Sequence, residues 1–176
     1  VSVIETLDSD VKSLITALAV VQEFSHEQAE VILGSEYSFD LINQLALDGN
    51  FFSQTGDPEQ TFRFSKLMRE VLLVELRKNS KKKIAIHEAL LNFHEHRNEP
   101  NLALEHAYLA GNLEKVSDLF PDAARILQYT GRGSELVRWS IFAGDVSQMG
   151  LLKRATVELT GHLASLDYRT VTSMIE

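Results

Sequence analysis

The sequence predicts a mainly α-helical protein in two parts, residues 1–80 and 81–176. Three observations carry this. Apolar residues recur at three- and four-residue intervals along most of the chain. The period changes to alternation only around "FFSQTGDPEQTFRF", and the segment at 101–112 returns in altered form at 134–145.

The elements follow in order. Asp8 or Ser9 can cap a helix over "VKSLITALAVV", in which Val11, Leu14, Ile15, Leu18 and Val21 share one face. Ser25 and Gln28 have capping-box spacing ahead of "EVIL", and Gly34 stands where that short helix would stop. Ser38 caps "FDLINQLALDGN", whose Phe39, Ile42, Leu45 and Ala46 face inward and whose Gly49 ends it. Phe51 and Phe52, then Phe62 and Phe64, flank "TGDP" turn chemistry and predict a small β-hairpin. Helical spacing returns from Ser65 through Leu67, Val71, Leu72 and Leu76.

The second part reads as helix throughout. "SKKKIAIHEALLNFHEHRNEP" forms one helix ended by Asn98 and Pro100. Short segments follow at 101–110, 112–120, 122–130 and 134–143, punctuated by Pro121, Gly131 and Gly133, with two more after Asp145. "NLALEHAYLAGN" and "SELVRWSIFAGD" align at an offset of 33. Tetratricopeptide-like hairpins recur at about 34 residues, because one hairpin buries its apolar face only against a stacked neighbour.

With 44% hydrophobic and 24% charged residues, the composition is that of a globular protein. The chain has no cysteine, which excludes disulfides, thiolate nucleophiles and Cys-based zinc sites and fits a reducing cytoplasm. No apolar run approaches the roughly 20 residues of a membrane span, and the N-terminus lacks a signal-peptide layout. The chain starts at Val1 and stops within helical-looking "YRTVTSMIE", so it reads as a piece of a longer protein. Net charge is −8. Between Ser13 and Phe62 there is no lysine or arginine, while Glu23, Glu27, Glu30, Glu36, Asp40, Asp48, Asp57 and Glu59 are acidic. A nucleic-acid reader needs cations to displace phosphate counterions, so the first third is poorly suited to DNA or to an anionic membrane.

No phosphate-cradling motif is present: "GRGSEL" lacks a third glycine and a preceding strand. His87 and His94 lie seven apart and His96 follows, but leucine at 91 breaks HExxH and no further ligands stand at zinc spacing. These histidines are expected to be solvated or capped. Acid pairs such as Asp8 with Asp10 and Asp118 with Asp122 fall at helix ends, where capping explains them. No catalytic constellation remains, and the chain is read as non-enzymatic, without cofactor or metal. The partner-binding candidates are the run Arg77, Lys78, Lys81, Lys82 and Lys83, together with Trp139 and His106, which occupy matching repeat positions.

Three helices, a hairpin and a fourth helix make a winged-helix domain, here followed by tetratricopeptide-like helical hairpins. The segments "LDSDVKSLITALAVVQEFSHEQAEVIL", "LINQLALDGNFF", "FRFSKLMREVLLVEL" and "IHEALLNFHEHRNEPNLALEHAYLAGNLEKVSDLF" give the run from Leu7 to Phe120 a specific resemblance. It is similar to the segment after the nucleotide-binding domain in the MalT-like, ATP-dependent LuxR-type transcriptional regulators of the signal-transducing NTPase (STAND) class. The resemblance implies a bacterial, cytoplasmic regulator with an upstream P-loop domain that binds ATP or ADP. It also implies helical repeats that sense a small-molecule inducer or an inhibitory protein, and a downstream helix-turn-helix that binds DNA. The winged helix would then clamp the ATPase domain of its own chain. The helix capped by Ser38 lacks the cations with which a relative would read DNA, so this segment is expected to bind neither DNA nor membrane. Where relatives place a nucleotide-contacting histidine after the hairpin, this chain has Ser65 and Lys66, and Lys66 joins the partner-binding candidates. The alternative from another class is a stand-alone helical-repeat adaptor for protein–protein interaction.

Overall fold

The computed structural model describes residues 7–56 and 60–146, with side chains described up to Trp139. The helices expected after Asp145 lie outside the described residues. The chain divides into two compact units, Val1–Phe93 and His94–Glu176.

The first unit opens with α1 (Ser9–Leu18), β1 (Glu23–Phe24) and α2 (His26–Leu33), then a 3-10 turn at Gly34–Glu36. It continues with α3 (Phe39–Asp48), β2 (Phe52–Gln54), β3 (Phe62–Phe64) and α4 (Lys66–Arg77). Local chemistry sets the helix ends. Asp8 caps α1 through the Asp10 amide. Ser25 and Gln28 form the reciprocal capping box of α2, and Ser38 caps α3 through the Leu41 amide. Gly49, at φ 64°, supplies the left-handed residue that closes α3.

The three strands form one antiparallel sheet in the order β1-β3-β2, so the expected hairpin gains a third strand. Phe24 pairs with Phe62 and Glu23 with Arg63, and the exposed Arg63 Nε meets Glu23 Oε1 at 2.6 Å. Beyond β2, the Thr55 amide donates to the Thr61 carbonyl at 2.7 Å and narrows the base of the turn.

Alternation sends Phe62 and Phe64 to one face of the sheet while Arg63 points to solvent. There Phe24, fully buried, stacks on Phe62 at 5.3 Å and meets Phe52 edge-on at 5.1 Å and Phe64 at 5.7 Å. Leu14, Ile15 and Leu18 of α1, Ile42 of α3 and Leu72 and Leu76 of α4 complete the core. A part-buried polar cluster ties α4 to the end of α1. Arg69 donates from Nε to the carbonyls of Ala19 and Val21 and from Nη2 to that of Val20, at 2.9–3.2 Å. These carbonyls belong to the C-cap and the turn that follows α1, which carries no basic residue in its last turn, and they are met by a guanidinium from another helix.

Helix α5 (Ser80–His96) begins in the first unit, where Asn79 Oδ1 accepts from the Lys82 amide and Ile86 and Leu90 join the core. The second unit continues with α6 (Pro100–Ala110), α7 (Leu113–Tyr129) and α8 (Gly133–Val146); α6 packs on α7 and α7 on α8. Gly111 and Gly131, both in the left-handed region, end α6 and α7 with the same closure. In each, the amide after the glycine reaches back five residues, Asn112 to Ala107 and Arg132 to Leu127.

Two expectations are corrected here. Pro121 does not separate two helices but lies inside α7. Its missing N–H and ring cost about 3 kcal/mol in a helix interior, yet Val116, Phe120, Ala123 and Leu127 form a buried stripe across it that holds the helix together. Helix α8 likewise runs on through Gly144 rather than stopping at 143. The repeat is visible in the packing: α6 and α8 start 33 residues apart, and Ala103 with Leu136, and His106 with Trp139, are buried at matching positions. The fold is thus mainly α-helical, a winged helix followed by helical repeats.

Candidate interaction surface

The sequence-derived candidates fall in three places. Lys66 is the first residue of α4, capped by the Ser65 hydroxyl through the Met68 amide, and is exposed. The cationic run spans the end of α4 and the first turn of α5. Within it, Lys78 donates to Glu75 at 2.6 Å, and Lys12 of α1 reaches the same carboxylate at 3.3 Å. The hydrogen bonds from Lys78 and Lys12 hold the half-buried Glu75 carboxyl below its usual range. Lys82 bends back to Ser13 Oγ at 2.7 Å. Lys66, Arg77 and Lys81 are exposed and make no ion pair among the described residues. The run therefore splits into lysines that brace α1 and cations that face outward.

His106 and Trp139 are both buried, so neither presents its ring to solvent. Trp139 meets Tyr108 edge-on at 5.5 Å, and the Arg138 guanidinium lies 5.3 Å from its ring centre. His106 stacks parallel on His94 at 5.3 Å. Of the histidines expected to be solvated or capped, His96 is exposed, whereas His87 and His94 are buried. His94 Nδ1 lies 2.7 Å from Glu99 Oε2, and Arg97 approaches the other oxygen of that carboxylate at 3.4 Å. Burial pushes Glu99 up, but the hydrogen bonds from His94 and Arg97 outweigh it and hold its carboxyl below the usual range. Among the described residues no cluster of three or more His, Cys, Asp or Glu side chains could hold a metal ion.

His87 is a stability element with a pH signature. Burial, aided by the Lys83 ammonium one turn earlier, pushes its imidazole from 6.5 down to about 4. The unfolded chain then binds a proton that the folded chain refuses, so stability is full above about pH 6.5 and drains as the pH falls toward 4. The loss across that window is roughly 3 kcal/mol. His87→Leu is expected to flatten this slope in urea denaturation at stepped pH; an unchanged slope would assign the proton uptake elsewhere.

Sequence reasoning missed the outward face of α4. Leu67, Val71 and Val74 are 71%, 43% and 55% exposed, opposite the buried Leu72 and Leu76. The signal was present, because their 4-then-3 spacing forms a second apolar line on a helix whose first line already fills the core. On α3, the helix that reads DNA in many winged helices, the exposed residues are Phe39, Asp40, Gln44, Leu47 and Asp48, without a lysine or arginine.

A three-helix, three-stranded arrangement closed by α4 defines the winged-helix class. Residues 1–84 match the family model described as the MalT winged helix domain, so this stretch is similar to a MalT-type winged helix. No curated protein and no solved structure matches the chain. No described helix is long and apolar enough to cross a membrane.

Proposed function

We propose that this chain is the regulatory, non-catalytic middle of a MalT-like, LuxR-type transcriptional regulator of the STAND class, coupling the sensing of an effector or partner to an ATPase switch. The observation that carries the reading is a MalT-type winged helix whose α3 presents acids and apolar groups where a DNA reader presents cations. In this reading the winged helix holds an ATPase domain of the same protein in its resting state, and ATP or ADP binds there and not in this segment. The tetratricopeptide-like helices from α6 onward form the arm that meets a small-molecule inducer or an inhibitory protein. Switching requires that the signal bind one arrangement better than the other.

Deleting residues 8–78 from the full-length regulator is expected to raise basal ATP binding and basal transcription. Unchanged basal activity in both assays would sink the clamp. The common burial register of α6 and α8 favours a second reading, a helical-repeat adaptor that binds other proteins. A gene without a P-loop sequence upstream of this segment would select it.

A further inference from the structure

Helix α4 is apolar on two opposite sides. One side supplies the core through Leu72 and Leu76; the other displays Leu67, Val71 and Val74 to solvent in a single line. Folding does not require that second line, and two of its members are β-branched residues that favour a helix less than alanine. Directly beyond it, the first turn of α5 carries Lys81, Lys82 and Lys83 and no acid, which opposes the helix macrodipole. Both features disfavour the isolated chain, and only Lys78 and Asn79 separate the two helices in sequence. Around the stripe, Lys66, Arg77 and Lys81 are the exposed cations without an ion pair among the described residues.

We propose that the outward face of α4 and the α4–α5 junction dock an amphipathic helix of a protein partner, its apolar residues spaced by three and four and rimmed by Asp and Glu. The partner's aliphatic side chains cover Leu67, Val71 and Val74, and its carboxylates answer Lys66, Arg77 and Lys81 and the N-terminal dipole of α5. A second copy of this chain fits less well, because pairing α4 with α4 brings cation-bearing ends together. An anionic membrane also fits less well, because the stripe has no aromatic anchor to seat in the headgroup region. The surface and its partner chemistry go beyond the proposed function, since they do not depend on whether the partner is an ATPase domain.

The test uses a fluorescein-labelled synthetic helix of about three turns, with leucines at positions i, i+4 and i+7 flanked by glutamates, and a twin with lysines in place of the glutamates. Anisotropy titration of the intact chain is expected to show binding of the glutamate peptide, weakened by added salt, and no binding of the lysine twin. The variant L67A/V71A/V74A is expected to lose about tenfold in affinity, and K66E/R77E/K81E at least as much. L67A/V71A/V74A should keep the thermal melt of the unsubstituted chain, because alanine suits an exposed helix. In the charge variant glutamate suits the first turns at 66 and 81 but opposes the dipole in the last turn of α4 at 77. K66E/K81E, which should keep the melt, is therefore measured beside it and is expected to weaken binding as well. Failure of the glutamate peptide to bind, equal binding of the twin, or unchanged affinity in either variant overturns the proposal. Binding to phosphatidylserine vesicles without peptide binding reassigns the face to a membrane. Self-association in sedimentation velocity that the same variants abolish, without peptide binding, reassigns it to a second copy. A deletion experiment that fails to raise basal transcription leaves these outcomes untouched, so the two readings fail separately.

Discussion

Replacing Phe24 by alanine is expected to destabilise the first unit by about 4 kcal/mol, in the range for removing a large aromatic from a tight core. Phe24 is fully buried on the shortest strand of the sheet, yet its ring touches three other phenylalanines. The two backbone pairs that hold β1 against β3 are few, so the ring contacts secure the strand. Truncation leaves a void that β2 and β3 cannot fill without shifting register, which would turn Phe62 and Phe64 toward solvent. Urea denaturation followed by far-ultraviolet circular dichroism measures the effect. A loss below about 1 kcal/mol would mean the neighbouring rings relax into the space.

Arg69→Met is the second large effect, with an expected loss of about 3 kcal/mol and little change in side-chain volume. The guanidinium serves three consecutive carbonyls at the end of α1, and methionine leaves Ala19, Val20 and Val21 without that donor. Hydrogen bonds from a charged donor are the stronger kind, and a planar fork spans neighbouring acceptors as an ammonium does not. Arg69→Lys should therefore recover only part of the stability. The comparison separates geometry from charge: full rescue by lysine would show that position alone matters, and an unchanged urea midpoint for methionine would show that water serves the carbonyls equally well.

These two residues also mark where sequence reading succeeds and where it stops. The ends of α2 and α3 were legible because their chemistry is local: Ser25 with Gln28, and Ser38 with Gly49, lie within a turn of what they cap. The phenylalanine alternation gave the hairpin for the same reason. Strand β1 was not legible, since two residues have no period and Phe24 is extended only because Phe62, 38 positions later, pairs with it. Arg69 looks in sequence like any charged residue on a helix; its partners stand about 50 positions earlier. Pro121 shows the reverse error, a strong local signal overruled by a buried stripe on both sides of it.

The candidate surface divides along the same line. The cations of the α4–α5 junction were visible as a run, but sequence could not tell Lys82, held by Ser13, from the outward-facing Lys81. His106 and Trp139 share a repeat position and both are buried, and sequence could not show that burial, because shared register reports shared packing as readily as shared binding. The α4 stripe was countable in the sequence and meaningful only once Leu72 and Leu76 were seen to occupy the opposite side.

The single tryptophan, buried beside Tyr108 in α8, belongs to the second unit, whereas the first unit is built around phenylalanines. Emission excited at the red edge of indole absorption is therefore a private signal of the helical repeats, silent about the winged helix. Replacing Trp139 by phenylalanine and placing one tryptophan in the first unit would move the signal to the winged helix, and the order in which the two units respond to a ligand or a denaturant would then be readable by comparing two titrations.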